Sequence, residues 1–279
     1  MSVDRVSVLR PSIAAGASPA APETDRGAPA HVTIRGLAKH FGDALVYDGF
    51  DLDFPRGELV CVFGPNGCGK STLINMIAGL VPVDAGEILF GGKPLKAIKF
   101  GYVFQNYREA LFPWLRSFEN IEYPLKLMKL SKSERRARTE RLIENLGVRI
   151  DLARYPYELS GGQQQLVSIM RALVVEPEIL FLDEPFSALD YEMTLFMRAQ
   201  LQRVFMDTGT TTMIVSHDLE EAVYLADRIL LLSRRPARVA DYVSFAAPRP
   251  RNDATLSEPD FVRVKAHCLD VFQREVRRA

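Results

Sequence analysis

The sequence is poor in several features that would each define a class of protein. It has three cysteines, Cys61, Cys68 and Cys268, an odd number and not at metal-ligand spacing. That excludes a disulfide framework and points to reduced thiols. It has no excess of either charge: 35 basic and 35 acidic residues give a formal net charge of +0. A strongly electrostatic nucleic-acid binder is therefore not expected. No apolar run is long enough to form a membrane-spanning helix, so any membrane association would come through a partner. Arg5 and Arg10 bracket only a few apolar residues, which is not the pattern of a secretory signal. Internal repeats are missing, and so is a heptad run long enough for a coiled coil.

The remaining composition is that of an ordinary globular chain: 279 residues, 47% hydrophobic and 25% charged, enough for one large domain or two small ones. Residues 1–30 are rich in Ala, Pro, Ser and Gly and read as a disordered tail. Order is expected from His31, with alternating Val32-Thr33-Ile34 and then Phe50-Asp51-Leu52-Asp53-Phe54 as strands.

The most informative stretch is Gly64-Pro65-Asn66-Gly67-Cys68-Gly69-Lys70-Ser71. An apolar strand, Leu59–Phe63, precedes it. A helical pattern follows from Thr72 to Leu80. Strand, glycine loop and helix together are the context of a phosphate-binding loop. Glycines let backbone N–H groups turn onto phosphates, and the helix start adds partial positive charge. Lys70 can reach the β- and γ-phosphates, and the Ser71 hydroxyl can ligate Mg²⁺. A glycine turn that merely precedes a lysine is the bland alternative, and the flanking elements argue against it.

Other candidates stand at the ends of apolar runs. Phe100–Phe104 reads as a strand ending at Gln105. Ile179–Leu182 is a strand ending in Asp183 and Glu184, the form expected of a Mg²⁺-binding aspartate beside a base. Thr211–Val215 ends at Ser216-His217-Asp218, and Arg228–Leu232 is a further strand. Taken singly, Gln105 would be a solvated amide, Glu184 a surface carboxylate and His217 a hydrogen-bonded histidine. Leu159-Ser160-Gly161-Gly162-Gln163 opens a helix and suggests a second anion site. Ser131-Lys132-Ser133-Glu134 is a capping box. It opens a helix with Ala137, Leu142, Ile143 and Leu146 as candidate core, and with Arg135, Arg136, Arg138 and Arg141 as a solvated basic face. Phe41 alone reads as core. A last amphipathic helix is expected from about Pro259 to Val276.

In this order the motifs closely resemble the nucleotide-binding subunits of ABC transporters, over about Val32 to Leu232. The matching positions are the phosphate loop Gly64–Ser71, Gln105 in the Q-loop, the signature Leu159–Gln163, the Walker B run ending at Asp183-Glu184, the D-loop Ser187–Asp190, and the switch histidine His217. Phe41 falls where the family has its adenine-stacking aromatic. The family's short acidic motif of exporters is absent at Ala153–Glu158, which favours an importer. Pro113-Trp114, Arg235-Pro236 and Pro248-Arg249-Pro250-Arg251 are similar to the ATPase subunits of nitrate, sulfonate and taurine importers. Gln163-Gln164-Gln165-Leu166 departs from the family's Gln-Arg-Gln-Arg pattern, leaving in doubt any contact those basic side chains would make.

The resemblance implies an α/β fold: a P-loop NTPase (RecA-like) core with an antiparallel β subdomain and an inserted helical subdomain at about 106–175. The ATPase domain would span 31–240, and 241–279 would be a C-terminal extension. The resemblance also implies Mg²⁺ and ATP as cofactors. ATP would be held by Phe41, Gly64–Ser71, Thr72 and, from a second copy, Ser160, Gly161, Gly162 and Gln163. Ser71, Gln105 and Asp183 would serve the metal. Glu184, His217 and Gln105 would be catalytic. Implied partners are a second copy, two permease subunits and, indirectly, a solute-binding protein, at the cytoplasmic face of the membrane. Phe112, Pro113 and Trp114 are candidates for the permease contact, with internal packing as an equal alternative. Cys68 reads first as a small residue tolerated in the loop; the sharper alternative is that alkylation of its thiol blocks ATP binding, with protection by nucleotide. The competing class is a soluble ABC-type ATPase acting on DNA or ribosomes, which would need a long coiled coil or a second cassette in the chain. A regulatory subunit without hydrolysis is a third, opposed by the intact Glu184 and His217.

Overall fold

A computed structural model describes residues 30–187 and 189–277. All of the expected N-terminal tail except Ala30, and Ala188 of the D-loop, lie outside the described residues. Strands β1 (Ala30–Phe41), β2 (Ala44–Pro55) and β4 (Ala85–Phe90) form an antiparallel sheet in the order β2-β1-β4. Six more strands, β3 (Leu59–Phe63), β5 (Phe100–Val103), β6 (Ile179–Asp183), β7 (Thr211–Val215), β8 (Arg228–Leu232) and β9 (Val239–Ser244), form a second sheet in the order β5-β6-β7-β3-β8-β9. All its pairings are parallel except β8 with β9.

The helices are α1 (Lys70–Ile77), α2 (Tyr107–Ala110), α3 (Ser117–Leu127), α4 (Lys132–Asn145), α5 (Gly161–Leu173), α6 (Tyr191–Thr208), α7 (Leu219–Leu225) and α8 (Pro259–Arg277). Central strands β3, β6 and β7 are buried along their whole length, as strands covered on both faces must be. Their alternation splits the core in two. Leu59, Cys61, Phe63, Leu180, Leu182 and Ile214 face a cluster built with α5, α6, α7 and α8. Val60, Val62, Phe181, Met213 and Val215 face the other, with α1 and the antiparallel sheet. Each such large side chain contributes about 1.5–3 kcal/mol by leaving water.

Parallel strands place all their C-terminal ends on one edge, where ligands collect in open α/β sheets. Asp183 pairs with Val215, Val62 with Val215, and Val103 with Leu182. The segments after β3, β5, β6 and β7 therefore emerge side by side, although they are far apart in sequence.

Several local expectations are corrected. Ala137 is exposed, and Thr139 is buried in its place. The inward stripe of α4 is Thr139, Leu142, Ile143 and Leu146, at i, i+3, i+4 and i+7, and Ala137 lies off it. Arg135 is not on a solvated face: its Nε donates to Glu122 at 2.8 Å, with both side chains largely covered. Strand β1 runs on to Phe41, past the expected Ile34. A register shift between Ile34 and Leu37, at Gly36 with φ of 58°, breaks the alternation that would have revealed it. The edge strand β9 was not expected, because its half-buried residues show no alternation. The terminal helix α8 buries Phe261, Val264, Cys268 and Val271, an amphipathic face as expected.

Candidate active site

The phosphate loop joins β3 to α1 at the centre of the sheet. Gly69 sits at φ of 122°, and a Cβ there would lie 2.9 Å from Val46 Cγ1 and 3.0 Å from Tyr47. Only glycine fits both the dihedral and the space. Tyr47 locks the turn by donating from its hydroxyl to Gly69 O at 3.0 Å. Lys70 is buried, and its ammonium donates to Gly64 O at 2.9 Å and Pro65 O at 3.1 Å. The charged group is thus folded against the loop it would share with a phosphate. Asn66 and Gly67 are exposed, and Thr72 is half-buried on α1.

The Cys68 thiol fits the small-residue reading and not the alkylation alternative. It is 2% exposed and packs into the core beneath the loop. Burial raises its pKa, so it is neither accessible nor activated. In a phosphate-binding role Cys68 would act through its backbone N–H.

Ser71 and Asp183 meet directly: the Ser71 hydroxyl donates to Asp183 Oδ1 at 3.1 Å. Burial pushes the Asp183 carboxyl up to about 6, against the lowering effects of the Ser71 hydrogen bond and of Lys70, and with a further upward push from Glu184. A buried carboxylate so placed is an unfavourable charge that a bound cation would neutralise. No cluster of three or more His, Cys, Asp or Glu that could hold a metal occurs among the described residues. One carboxylate plus a hydroxyl suits Mg²⁺, which takes few protein ligands and completes its shell with phosphates and water.

Glu184 follows Asp183 in the left-handed region, with φ of 48°. Such a conformation costs on the order of 1 kcal/mol for a side-chain-bearing residue and persists only where neighbours fix it. Here the Glu184 N–H donates to Val215 O at 3.0 Å, and its carbonyl accepts from Ser187 Oγ at 3.1 Å. The turn aims the carboxylate at the sheet edge. There Gln105 Nε2 donates to Glu184 Oε2 at 2.9 Å, and His217 Nδ1 lies 3.4 Å from the same oxygen. The structure therefore brings together Gln105, Glu184 and His217, and separately Ser71 and Asp183.

The signature lies apart from this group within the chain. Ser160 caps α5, accepting from Gln163 N at 3.4 Å, while Gln163 Oε1 accepts from Ser160 N at 3.0 Å. Gly162 abuts α6: a Cβ there would lie 2.7 Å from Met193 Cγ. None of Ser160–Gln163 lines the cavity of about 700 Å³ beside the phosphate loop. After the signature, Gln164 Nε2 donates to Leu159 O at 3.0 Å. Gln165 is buried with neither amide atom partnered, and Leu166 is in the core. Phe41, at the end of β1, is half-exposed rather than core, with Lys39 Nζ 5.2 Å from its ring centre.

Sequence reasoning missed part of the surroundings. Besides the expected His217, the cavity beside the loop is lined by Arg234, Arg235, and Phe272 and Val276 of α8. Phe272 packs its ring 5.1 Å from that of Phe63, the last residue of β3. The amphipathic pattern of α8 was legible, but not the strand it would cover.

The ABC transporter family model matches residues 47–187. A sulfate/thiosulfate import ATP-binding protein of Burkholderia mallei is 38% identical over 253 residues, covering 83% of this chain and 72% of its own. An sn-glycerol-3-phosphate import ATP-binding protein of Rhizobium johnstonii is 41% identical over 209 residues, covering 73% of this chain and 56% of its own. Among solved structures, the dimeric bacterial ABC transporter cassette MJ0796 aligns with a TM-score of 0.68 at 30% identity, over 78% of this chain and 100% of that one. The same cassette in a post-hydrolysis state with ADP and Pi aligns at 0.67 and 29%, with the same coverage. With its phosphate loop, paired Ser71 and Asp183, and Glu184 at the shared strand edge, this chain belongs to the ABC transporter family, as an ATP-binding and ATP-hydrolysing cassette.

Proposed function

We propose that two copies of this chain associate head to tail, hydrolyse ATP between them, and energise import of a small anion through two permease subunits. The observation that carries the catalytic part is the convergence of Gln105 and His217 on one oxygen of Glu184. Glu184 would accept the proton of the attacking water, and Gln105 and His217 hold its carboxylate oriented for that role. His217, exposed beyond Glu184, would contact the γ-phosphate. Lys70 would exchange its two loop carbonyls for phosphate oxygens, and the loop N–H groups would hold the rest. Ser71, Asp183 and Gln105 would hold Mg²⁺, whose charge offsets that of the phosphates. Phe41, half-exposed, would stack on adenine. Catalysis is then positioning and charge stabilisation.

Ser160, Gly161, Gly162 and Gln163 would complete the site from the second copy. That reading is supported by their absence from the lining of the phosphate-loop cavity and by the dimer formed by the MJ0796 cassette. We assign residues 31–240 to the ATPase domain, with its helical part at about 106–175, and 241–279 to an extension. No helix among the described residues is long and apolar enough to cross a membrane, and the subunit would sit at the cytoplasmic face through its permeases. A solute-binding protein would deliver the cargo. Relatives named for sulfate/thiosulfate and for sn-glycerol-3-phosphate import support an anionic solute. Pro113-Trp114 and the two Arg-Pro segments favour nitrate, a sulfonate or taurine.

Ser160→Arg tests the composite site: ATP binding to the single chain should persist while hydrolysis stops. Hydrolysis at the wild-type rate would overturn it. For the solute, stimulation of ATPase activity in the reconstituted transporter should follow nitrate, a sulfonate or taurine; stimulation by sulfate alone would reassign the cargo.

A further inference from the structure

The Pro248-Arg249-Pro250-Arg251 segment enters the reading above only as a sequence likeness, yet its two arginines are heavily bonded. The Arg251 side chain is completely buried. Its Nη1 donates to Val223 O at 3.2 Å, Tyr224 O at 3.0 Å and Ala226 O at 2.8 Å. Its Nη2 donates to Phe245 O at 3.0 Å and Ala247 O at 3.2 Å. Arg249 Nη2 donates to Leu225 O at 2.7 Å and to Asp227 Oδ1 at 2.6 Å. The two guanidinium groups therefore take up four successive carbonyls at the C-terminal end of α7.

That end is where a helix leaves its carbonyls unpaired and carries partial negative charge. The seven residues of α7 are too few to hold a helix without outside support. The capped helix is also the one that begins beside His217. At its N-terminal end Asp218 Oδ1 accepts from Glu221 N at 3.0 Å, and Ser216 Oγ donates to Glu221 Oε2 at 2.9 Å. Along its flank, Lys265 of α8 donates to Glu220 Oε2 at 2.6 Å, and Arg198 of α6 pairs with Glu221 at 3.0 Å. Asp227, which receives Arg249, also accepts from Leu59 N at 2.9 Å, at the start of the strand that leads into the phosphate loop.

We propose that Arg249, Arg251 and Lys265 form a clamp by which the C-terminal extension positions the switch histidine. They fix α7, and through it His217, relative to Glu184. They are positioning residues that touch neither nucleotide nor metal. The proposal rests on the role given to His217 above. It extends that role to the C-terminal extension, because the clamp's donors all lie beyond residue 248.

The test uses the full chain with isotope-labelled histidine, as wild type, Arg251→Lys and Lys265→Met. The chain has 4 histidines, and loss of one ring signal in His217→Ala identifies that of His217. Both clamp variants should displace the His217 signal while those of His31 and His40 stay in place. Both should lower kcat by about 5-fold or more with KM for ATP within about 2-fold of wild type. A His217 signal at its wild-type position, or a wild-type kcat, would overturn the proposal. Should Arg251→Lys fail to fold, Lys265→Met decides, since Lys265 is part-exposed and its loss leaves the buried guanidinium intact. A wild-type kcat in His217→Ala would instead remove the catalytic role of His217; kcat then ceases to be a criterion and the position of the His217 signal alone decides the clamp.

Discussion

Gln105 donates a 2.9 Å hydrogen bond to Glu184, joining the ends of adjacent strands β5 and β6. The donor fixes one oxygen of the carboxylate and leaves its rotation restricted before any substrate is present. Glu184→Gln should keep ATP affinity and lower kcat by about 10²–10⁴-fold, the share a positioned general base supplies. Single-turnover hydrolysis together with equilibrium nucleotide binding measures both. Wild-type turnover would remove Glu184 from the proton-accepting role.

Asp183 makes a pH-dependent prediction. Its pKa is raised by burial to about 6 from 3.8, so the folded state favours the protonated form. Below the unfolded value the carboxyl is neutral in both states. As pH rises through about 6 the folded protein must carry a buried charge, and stability is lost. Asp183→Asn removes that charge. Without nucleotide or Mg²⁺ it should stabilise the protein by roughly 3 kcal/mol at pH 7.5, about 6–12 °C in Tm, and by little at pH 4. Equal shifts at both pH values, read by thermal melts, would count against the assignment. Hydrolysis should be lost at every pH.

All three cysteines, Cys61, Cys68 and Cys268, are buried, and burial raises each thiol. Native protein should therefore resist iodoacetamide at pH 7.5, with full labelling only in denaturant. Rapid labelling of Cys68 in native protein, followed by mass spectrometry, would show that the loop opens.

Trp114 is 70% exposed, while its neighbour Phe112 packs 4.7 Å from Tyr123. Asn120 holds the loop between them, accepting from Phe112 N at 2.8 Å and donating to Leu115 O at 3.0 Å. The two readings of this segment thus divide: Phe112 packs internally, and Trp114 is available to a partner. Trp114→Ala should leave ATP hydrolysis by the free subunit unchanged and weaken co-purification with the permeases about 10-fold or more, as loss of an aromatic anchor does. Unchanged association would return Trp114 to the ordinary surface.

The strands β3, β6, β7 and β8 were legible because continuous apolar runs of this length, bounded by glycine or polar residues, have few other uses. The capping box at Ser131 was legible because it is local, whereas the one at Ser160 was read only as a helix start. Strand β9 and the far end of β1 were not, since an edge strand and a bulge both erase alternation. Ala137 misled because a small apolar residue satisfies a helical pattern without facing the core. Cys68 left two readings open because a loop position does not tell which way the side chain turns. The sequence does not show that the thiol goes into the core while the backbone faces outward.

By itself, the sequence determined the family and its phosphate loop at Gly64–Ser71, and it marked Asp183 and Glu184 as the carboxylates proposed for the metal and the proton. Those are local patterns of residue type and spacing. Tertiary structure alone decided which groups meet. Gln105 and Glu184 are 79 residues apart, Ser71 and Asp183 112 apart, and each pair is joined only because parallel strands end on one edge. Arg251 reaches α7 across 25–28 residues because the chain folds its extension back beneath the switch helix. Contacts of that kind depend on packing across the sheet and leave no periodic trace in the residues that make them.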